Sequence, residues 1–210
     1  RSVDRALDPA EAQFELGRVY LHLGLLEQED AHAHLSFVAH DWHIEPTRSH
    51  LSAAVVAFHA AQRLKEGLAP WQVECARAVE RLSVRDWDGC IAVCDRILER
   101  DPDVEEVWRL RGDALRLAGR DPLESYGRAL EVRRSAHEAL RGVALWHLDR
   151  GEPAEARAAL ERALRIHPGD VDTVVLLVRA HTAEAARGDA AAVDSALAHL
   201  ARARALAPGS

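Results

Sequence analysis

The amino-acid sequence predicts an all-α fold built from repeated helical hairpins. Its 210 residues are 48% hydrophobic but only 5% aromatic, and they are rich in alanine, leucine and arginine, which favour helix. Glycine and proline interrupt segments whose apolar residues recur with the helical period. Small apolar residues also recur at intervals of 34, 32 and 34 residues, at Ala78, Gly112, Ala144 and Val178. Together these observations predict a single repeat domain over residues 1–210.

The clearest repeat covers residues 137–168. Leu140 and Ala144 lie on one face of its first predicted helix. Gly151 is suited to end that helix, and Pro153 is suited to begin the next one, where its missing N–H costs nothing. The repeat is therefore predicted to be a pair of antiparallel helices.

Small residues are predicted to lie where the two helices of a repeat meet. In this repeat Ala144 and Ala156 would let the backbones approach closely, and Leu160 would fill the seam. A proline stands twelve residues after the small site of the second helix in three repeats, at Cys90 to Pro102, Ala156 to Pro168 and Ala196 to Pro208. These spacings place the repeats at residues 8–46, 70–102, 103–135, 136–169 and 170–208.

An additional helix is predicted between the first two repeats, over residues 47–67. Leu51, Val55, Phe58 and Leu64 lie close to one face at helical spacing. We interpret this segment as a single inserted helix. The alternative is a shifted phase in which it pairs with residues 70–84.

The repeat resembles that of the tetratricopeptide repeat family, whose pattern is W-x2-L-G-x2-Y, then A-x3-F and P over 34 residues. Leu16, Gly17 and Tyr20 reproduce the L-G-x2-Y part, and Trp108 with Gly112 reproduces its ends. The resemblance implies a right-handed superhelix of about five such hairpins, here with one inserted helix. It also implies a scaffold for protein–protein interaction and no enzymatic activity.

In that family, four positions of each first helix line a concave groove that binds a partner protein or peptide. The residues at those positions are Phe14, Arg18, Leu21, Cys75, Val79, Leu82, Arg109, Asp113, Arg116, Arg141, Leu145, Leu148, Val175 and Arg179. The arginines among them predict an acidic or C-terminal peptide, because guanidinium binds carboxylate in bidentate fashion. Alternatively, Glu106, Glu138 and Asp172 neutralise these arginines as surface pairs.

Composition argues against nucleic acid and membrane as partners. The net charge is −7 and the pI about 5.9, and no dense basic run compensates locally. No apolar run approaches the roughly 18 residues that span a bilayer. The three cysteines (Cys75, Cys90 and Cys94) fall inside predicted helices and are expected to be core residues in a reducing cytoplasm. The scarcity of lysine and asparagine suggests a bacterial source.

No catalytic or cofactor motif is present, so we expect no enzyme and no cofactor. Histidines are concentrated between His22 and His59. His40 and His43, helped by Asp41 or His50, are the most credible metal pair, but zinc needs three or four ligands. We therefore predict no metal site, and keep metal binding by this first hairpin as a third hypothesis.

The leading functional hypothesis is a cytoplasmic scaffold that binds a protein or peptide in its groove. The alternative is self-association, or a structural role within a larger protein or complex. The last helix carries Val193, Leu197 and Leu200, which could form a homodimer because a repeat array needs a polar capping surface.

Overall fold

A computed structural model describes residues 9–34, 50–64 and 68–206. Every regular element in these ranges is an α-helix, and none of them contains a strand. The helices are α1 (Pro9–His34), α2 (His50–Leu64), α3 (Pro70–Ser83), α4 (Trp87–Arg100), α5 (Glu105–Leu117), α6 (Leu123–Val132), α7 (His137–Asp149), α8 (Pro153–Ile166), α9 (Val171–Ala185) and α10 (Ala190–Leu206). The all-α prediction is confirmed.

The helices divide between two compact units. Unit 1 (Arg1–Pro102) contains α1 to α4, and unit 2 (Asp103–Ser210) contains α5 to α10. Within the units, helices pair in chain order: α1 with α2, α3 with α4, α5 with α6, α7 with α8, and α9 with α10. The single domain over residues 1–210 stays a prediction.

The first two helices lie in the segments predicted for the first repeat and for the inserted helix. α1 continues as one helix to His34, so the chain does not turn before that residue. Its partner is α2, which is the helix expected to be inserted and unpaired at 47–67. A Cβ added at Gly17 of α1 would lie only 2.9 Å from Cδ1 of Phe58 in α2. The glycine therefore permits close packing of α1 on α2, and the assignment of 47–67 as an inserted helix stays a prediction.

From α3 onwards, each turn between paired helices uses a left-handed residue to end the first helix. After α7, Gly151 has φ +69°, its N–H donates to the Leu148 carbonyl, and the Glu152 N–H donates to the His147 carbonyl. This pair of bonds satisfies carbonyls at the helix end. The predicted roles of Gly151 and of Pro153, the first residue of α8, are confirmed.

One turn uses a residue that is poorly suited to this conformation. After α3, Arg85 adopts φ +60°. The Arg85 N–H donates to the Leu82 carbonyl, and the Asp86 N–H donates to the Arg81 carbonyl, as in the turn at Gly151. A side chain at positive φ carries a steric cost that glycine avoids.

The core of unit 2 is built around the predicted small sites. Ala144 and Ala156 are fully buried, and Leu160 lies in the same cluster. Val174 and Leu177 of α9 complete this cluster. A helix of one repeat therefore covers the hairpin of the preceding repeat, as expected for repeat arrays.

The three cysteines form no disulfide and are buried, as predicted. A hydrogen bond with Cys90, together with burial, raises the pKa of the Cys94 thiol. A reactive cysteine needs the opposite shift, so Cys94 acts as a core side chain. Among the described helices, none has the length and apolar character required to cross a lipid bilayer.

Candidate interaction surfaces

Arginines on the first helices of unit 2 form ion pairs with carboxylates of the following first helix. Arg116 of α5 lies 3.3 Å from Asp149 at the end of α7. Arg141 of α7 lies 3.1 Å from Asp170 and 3.2 Å from Asp172, at the start of α9. The guanidinium groups predicted to bind a peptide carboxylate are thus engaged with carboxylates of the same chain.

Solvent reaches Asp149 and Asp172 more readily than the two arginines, whereas Asp170 is as buried as Arg141. The side chains of Arg116 and Arg141 are only 6% and 8% exposed, whereas those of Asp149 and Asp172 are 45% and 38% exposed. An incoming carboxylate would have to displace an internal one to reach either arginine. The pairs therefore serve mainly to join helices.

A third predicted arginine, Arg109, is engaged inside α5. Its Nη1 lies 3.1 Å from Oδ2 of Asp113. Burial lowers the pKa of Arg109, but Asp113, Glu138 and Glu105 outweigh that effect and raise the pKa, so the group stays charged. For Glu138, burial raises the pKa, but arginines that include Arg109 and Arg141 lower it overall.

Asp113 also accepts a buried hydrogen bond from Tyr126, whose hydroxyl lies 2.9 Å from Oδ1. The Tyr126 ring is fully buried. A Cβ at Gly112 would lie 2.6 Å from this ring, and one at Gly142 would lie 2.4 Å from it. Asp113 is therefore a structural anchor between α5, α6 and α7.

Most other residues predicted to line the groove are core residues. Phe14 packs edge-on against Phe58 and Trp71, with ring centroids 5.1 and 5.6 Å apart. Leu21, Cys75, Val79, Leu82 and Leu145 are also buried, and Leu148 is half-buried. Arg18 pairs with Glu15. Val175 and Arg179 of α9 are exposed.

An apolar groove lies between α9 and α10. It has a volume of ≈ 260 Å³ and is lined by Val178, Thr182, Ala185, Val193, Ala196, Leu197 and Leu200. Of the ten exposed large hydrophobic residues in the described part of the chain, five belong to this hairpin: Val175, Val193, Leu197, Leu200 and Leu206. Such clustering on a surface is typical of an interaction site.

The repeat spacing relates this groove to the equivalent surface of the preceding hairpin. Ala156 and Ala196 are equivalent small sites, so Leu200 corresponds to Leu160 in the preceding hairpin. Leu160 is fully buried beneath α9, whereas Leu200 is 40% exposed. The groove is thus the surface that receives a helix in the preceding repeat.

A second cluster of functional side chains lies where α7, α8 and α9 meet. His137 is the first residue of α7, His167 follows the end of α8, and Asp170 precedes α9. One ligand atom from each lies within 4.8 Å of the others. Sequence analysis did not bring these residues together, although their separation of about one hairpin was a usable signal.

The histidines predicted as the most credible metal pair, His40 and His43, lie outside the described residues, as does Asp41. Metal binding by the first hairpin therefore stays a hypothesis.

The architecture is that of a helical repeat protein, and comparisons with known proteins specify the type. Residues 137–182 match the tetratricopeptide repeat model. No curated protein matches the sequence significantly. The resemblance inferred from the sequence is confirmed for residues 137–182, which match a tetratricopeptide repeat.

Solved structures share this fold. A crystal structure of MamA protein aligns with a TM-score of 0.55 at 14% identity, covering 91% of this chain and 92% of that one. YrrB, described as a tetratricopeptide-repeat protein with an unusual peptide-binding site, aligns with a TM-score of 0.52 at 16% identity, covering 76% and 79%. Proteins of this kind are in general non-catalytic scaffolds for protein–protein interaction.

Proposed function

We propose that this protein is an interaction scaffold that receives an amphipathic helix of a partner protein in the α9–α10 groove. The observation that carries the proposal is the difference between Leu160 and Leu200. These residues occupy equivalent positions, but Leu160 is buried by a helix and Leu200 is 40% exposed. Covering the groove would remove apolar surface from water, which is favourable by about 25 cal/mol per Å².

The residues expected in the partner helix follow from α9, which covers the equivalent surface of the preceding hairpin. That helix, α9, presents Val174, Leu177 and Ala180 to the core, a spacing of three residues that places them on one helical face. A partner helix with small and branched apolar residues at that spacing would fit the groove. Binding of an amphipathic helix in an apolar groove is a common mode of peptide recognition.

The proposal can be tested with a phage-displayed library of helical peptides that carry apolar residues at positions i, i+3, i+4 and i+7. The variant Leu197→Glu/Leu200→Glu places charge in the groove at exposed positions. Val56→Glu is the matched control, because Val56 is 61% exposed in unit 1. We expect selected peptides to bind the natural sequence and the control, and to lose at least tenfold affinity for the double variant. Selection of no helical peptide would overturn the proposal.

Self-association is a second candidate, favoured by the arrangement of α10. Val193, Leu197 and Leu200 are exposed and follow one another at steps of four and three residues, as in helices that pair along an apolar seam. Light scattering distinguishes this function. A dimer that Leu197→Glu/Leu200→Glu converts to a monomer, with no peptide selected, would favour self-association over a partner helix.

Binding of an acidic or C-terminal peptide by first-helix arginines stays a prediction with less support. Arg109, Arg116 and Arg141 are paired internally, whereas Arg179 is exposed. Titration of the protein and of Arg179→Ala with an acidic C-terminal peptide would test it. Equal affinity, or no binding by either protein, would argue against it.

A further inference from the structure

We propose that His137, His167 and Asp170 bind a divalent transition-metal ion such as Zn²⁺. His137 begins α7, whereas His167 and Asp170 lie in the turn between α8 and α9, and the three offer ligand atoms within 4.8 Å of one another. Two imidazoles and one carboxylate form a ligand set found in zinc sites that also bind water. This site is independent of the α9–α10 groove.

The orientation of His137 supports metal binding. Its Nε2 lies 4.0 Å from Oδ2 of Asp170, and its Nδ1 lies 4.0 Å from Oε2 of Glu138. One ring nitrogen therefore faces the ligand cluster while the other faces a carboxylate. A metal-binding histidine usually donates its second N–H to a carboxylate, which fixes the tautomer and raises ligand basicity. Glu138 lies about 1 Å too far for that hydrogen bond and would have to approach by that distance to form it.

Asp170 is held in place before any ion binds. Nη1 of Arg141 lies 3.2 and 3.1 Å from its two oxygens, and the Thr173 hydroxyl also donates to it. A carboxylate has about four acceptor positions. Oδ2 accepts from both Arg141 and Thr173, whereas Oδ1 accepts only from Arg141 among these contacts, so Oδ1 has room for a metal ion. Arg141 opposes the charge of an incoming cation, and Asp172 and Glu138 offset that effect because both lie close to Arg141.

His167 provides the adjustable ligand. Its ring centroid lies 5.0 Å from that of His137, and its side chain is exposed. The Asp170 N–H donates to the His167 carbonyl at 3.2 Å, which keeps the two residues together across the turn. Zinc–ligand bonds of about 2.0–2.2 Å require the ligand atoms to approach somewhat more closely, and an exposed ring can rotate to do so without disturbing the core.

Titration with Zn²⁺ by calorimetry, and the visible spectrum with Co²⁺, would test the site. We expect one ion bound by the natural sequence with a raised melting temperature, and at least tenfold weaker binding by His137→Ala and by His167→Ala. Glu138→Gln should weaken binding by about 10- to 100-fold, as for other residues behind a metal ligand. Circular dichroism would establish that each variant is folded.

The matched control is His181→Ala/His199→Ala, which removes another close histidine pair of unit 2, with ring centroids 5.4 Å apart. This variant should bind zinc as the natural sequence does. The chain has twelve histidines, so zinc bound at other histidines must be distinguished from zinc bound at this site. Equal affinity and stoichiometry for the natural sequence and for His137→Ala/His167→Ala would overturn the proposal, as would no binding at 100-fold excess of zinc.

Discussion

The Tyr126 hydroxyl donates a buried hydrogen bond to Asp113, with 2.9 Å between the oxygen atoms. Asp113 also pairs with Arg109, and burial is the main cause that raises the pKa of Tyr126. One side chain from α6 is thus fixed between α5 and α7. The fully buried ring needs space, which the absence of a Cβ at two glycines supplies.

Replacing Gly142 by alanine should therefore destabilise the protein. The added Cβ would lie 2.4 Å from Tyr126 Cζ, and overpacking of this kind costs about 1–3 kcal/mol. The free energy of unfolding in urea would measure the effect. Gly127→Ala is the control, because nothing lies within 4 Å of a Cβ there. This control should gain about 0.5–1 kcal/mol from helix propensity, and a loss of similar size in both variants would contradict the packing role.

Arg141→Ala should be much more damaging than Arg179→Ala. Both members of the Arg141–Asp170 pair have side chains 8% exposed, and removing one partner of a buried pair costs about 3–5 kcal/mol. Arg179 is exposed, so its replacement should change stability by less than about 0.5 kcal/mol. Thermal and urea unfolding would measure both. Similar small effects would indicate that Arg141 does not join the helices.

Several features of unit 2 were predictable because they depend on residues close in sequence. The burial of Ala144 and Ala156, the turn at Gly151 and the start of α8 at Pro153 all follow from helical period and turn chemistry. Spacing alone could also identify Leu200 as equivalent to Leu160. It could not tell that Leu200 is exposed.

Pairings between distant residues could not be read from local pattern. Arg141 forms an ion pair with Asp170, which lies 29 residues later in the sequence. The periodicity of α2 predicts an apolar face, but it does not show that this face packs on α1. For the same reason the predicted groove combined core side chains such as Phe14 with ion-paired arginines. Helical period identifies which residues share a face, whereas packing decides whether that face is open.

Arg85→Gly should stabilise the protein. Arg85 has φ +60°, and relief of this conformation is worth about 1 kcal/mol, because a side chain crowds the backbone there. The urea midpoint should rise. Gly119→Ala makes the opposite change at φ +70° with nothing within 4 Å of the new Cβ, so it should lower the midpoint by a similar amount. A lower midpoint for Arg85→Gly would show that its side chain makes a larger contribution than the backbone costs.

His199 should make stability depend on pH. Burial lowers its pKa, and His181 and Arg202 lower it further. The unfolded chain, with a histidine pKa of about 6.5, therefore binds the proton more readily. The free energy of unfolding should fall as pH falls from about 7 through the lowered pKa, and should show no contribution from this group above about 7. Urea unfolding at pH 7.5 and 5.5 should show a smaller decrease for His199→Gln, and an identical decrease would refute the assignment.

The ion pairs Arg116–Asp149 and Arg141–Asp170 each connect one repeat of unit 2 to the next. In a repeat array, stability is approximately the sum of intrinsic repeat terms and nearest-neighbour coupling terms. These pairs belong to the coupling terms, since neither can form within an isolated hairpin. They therefore favour concerted melting of neighbouring repeats over fraying of one hairpin at a time.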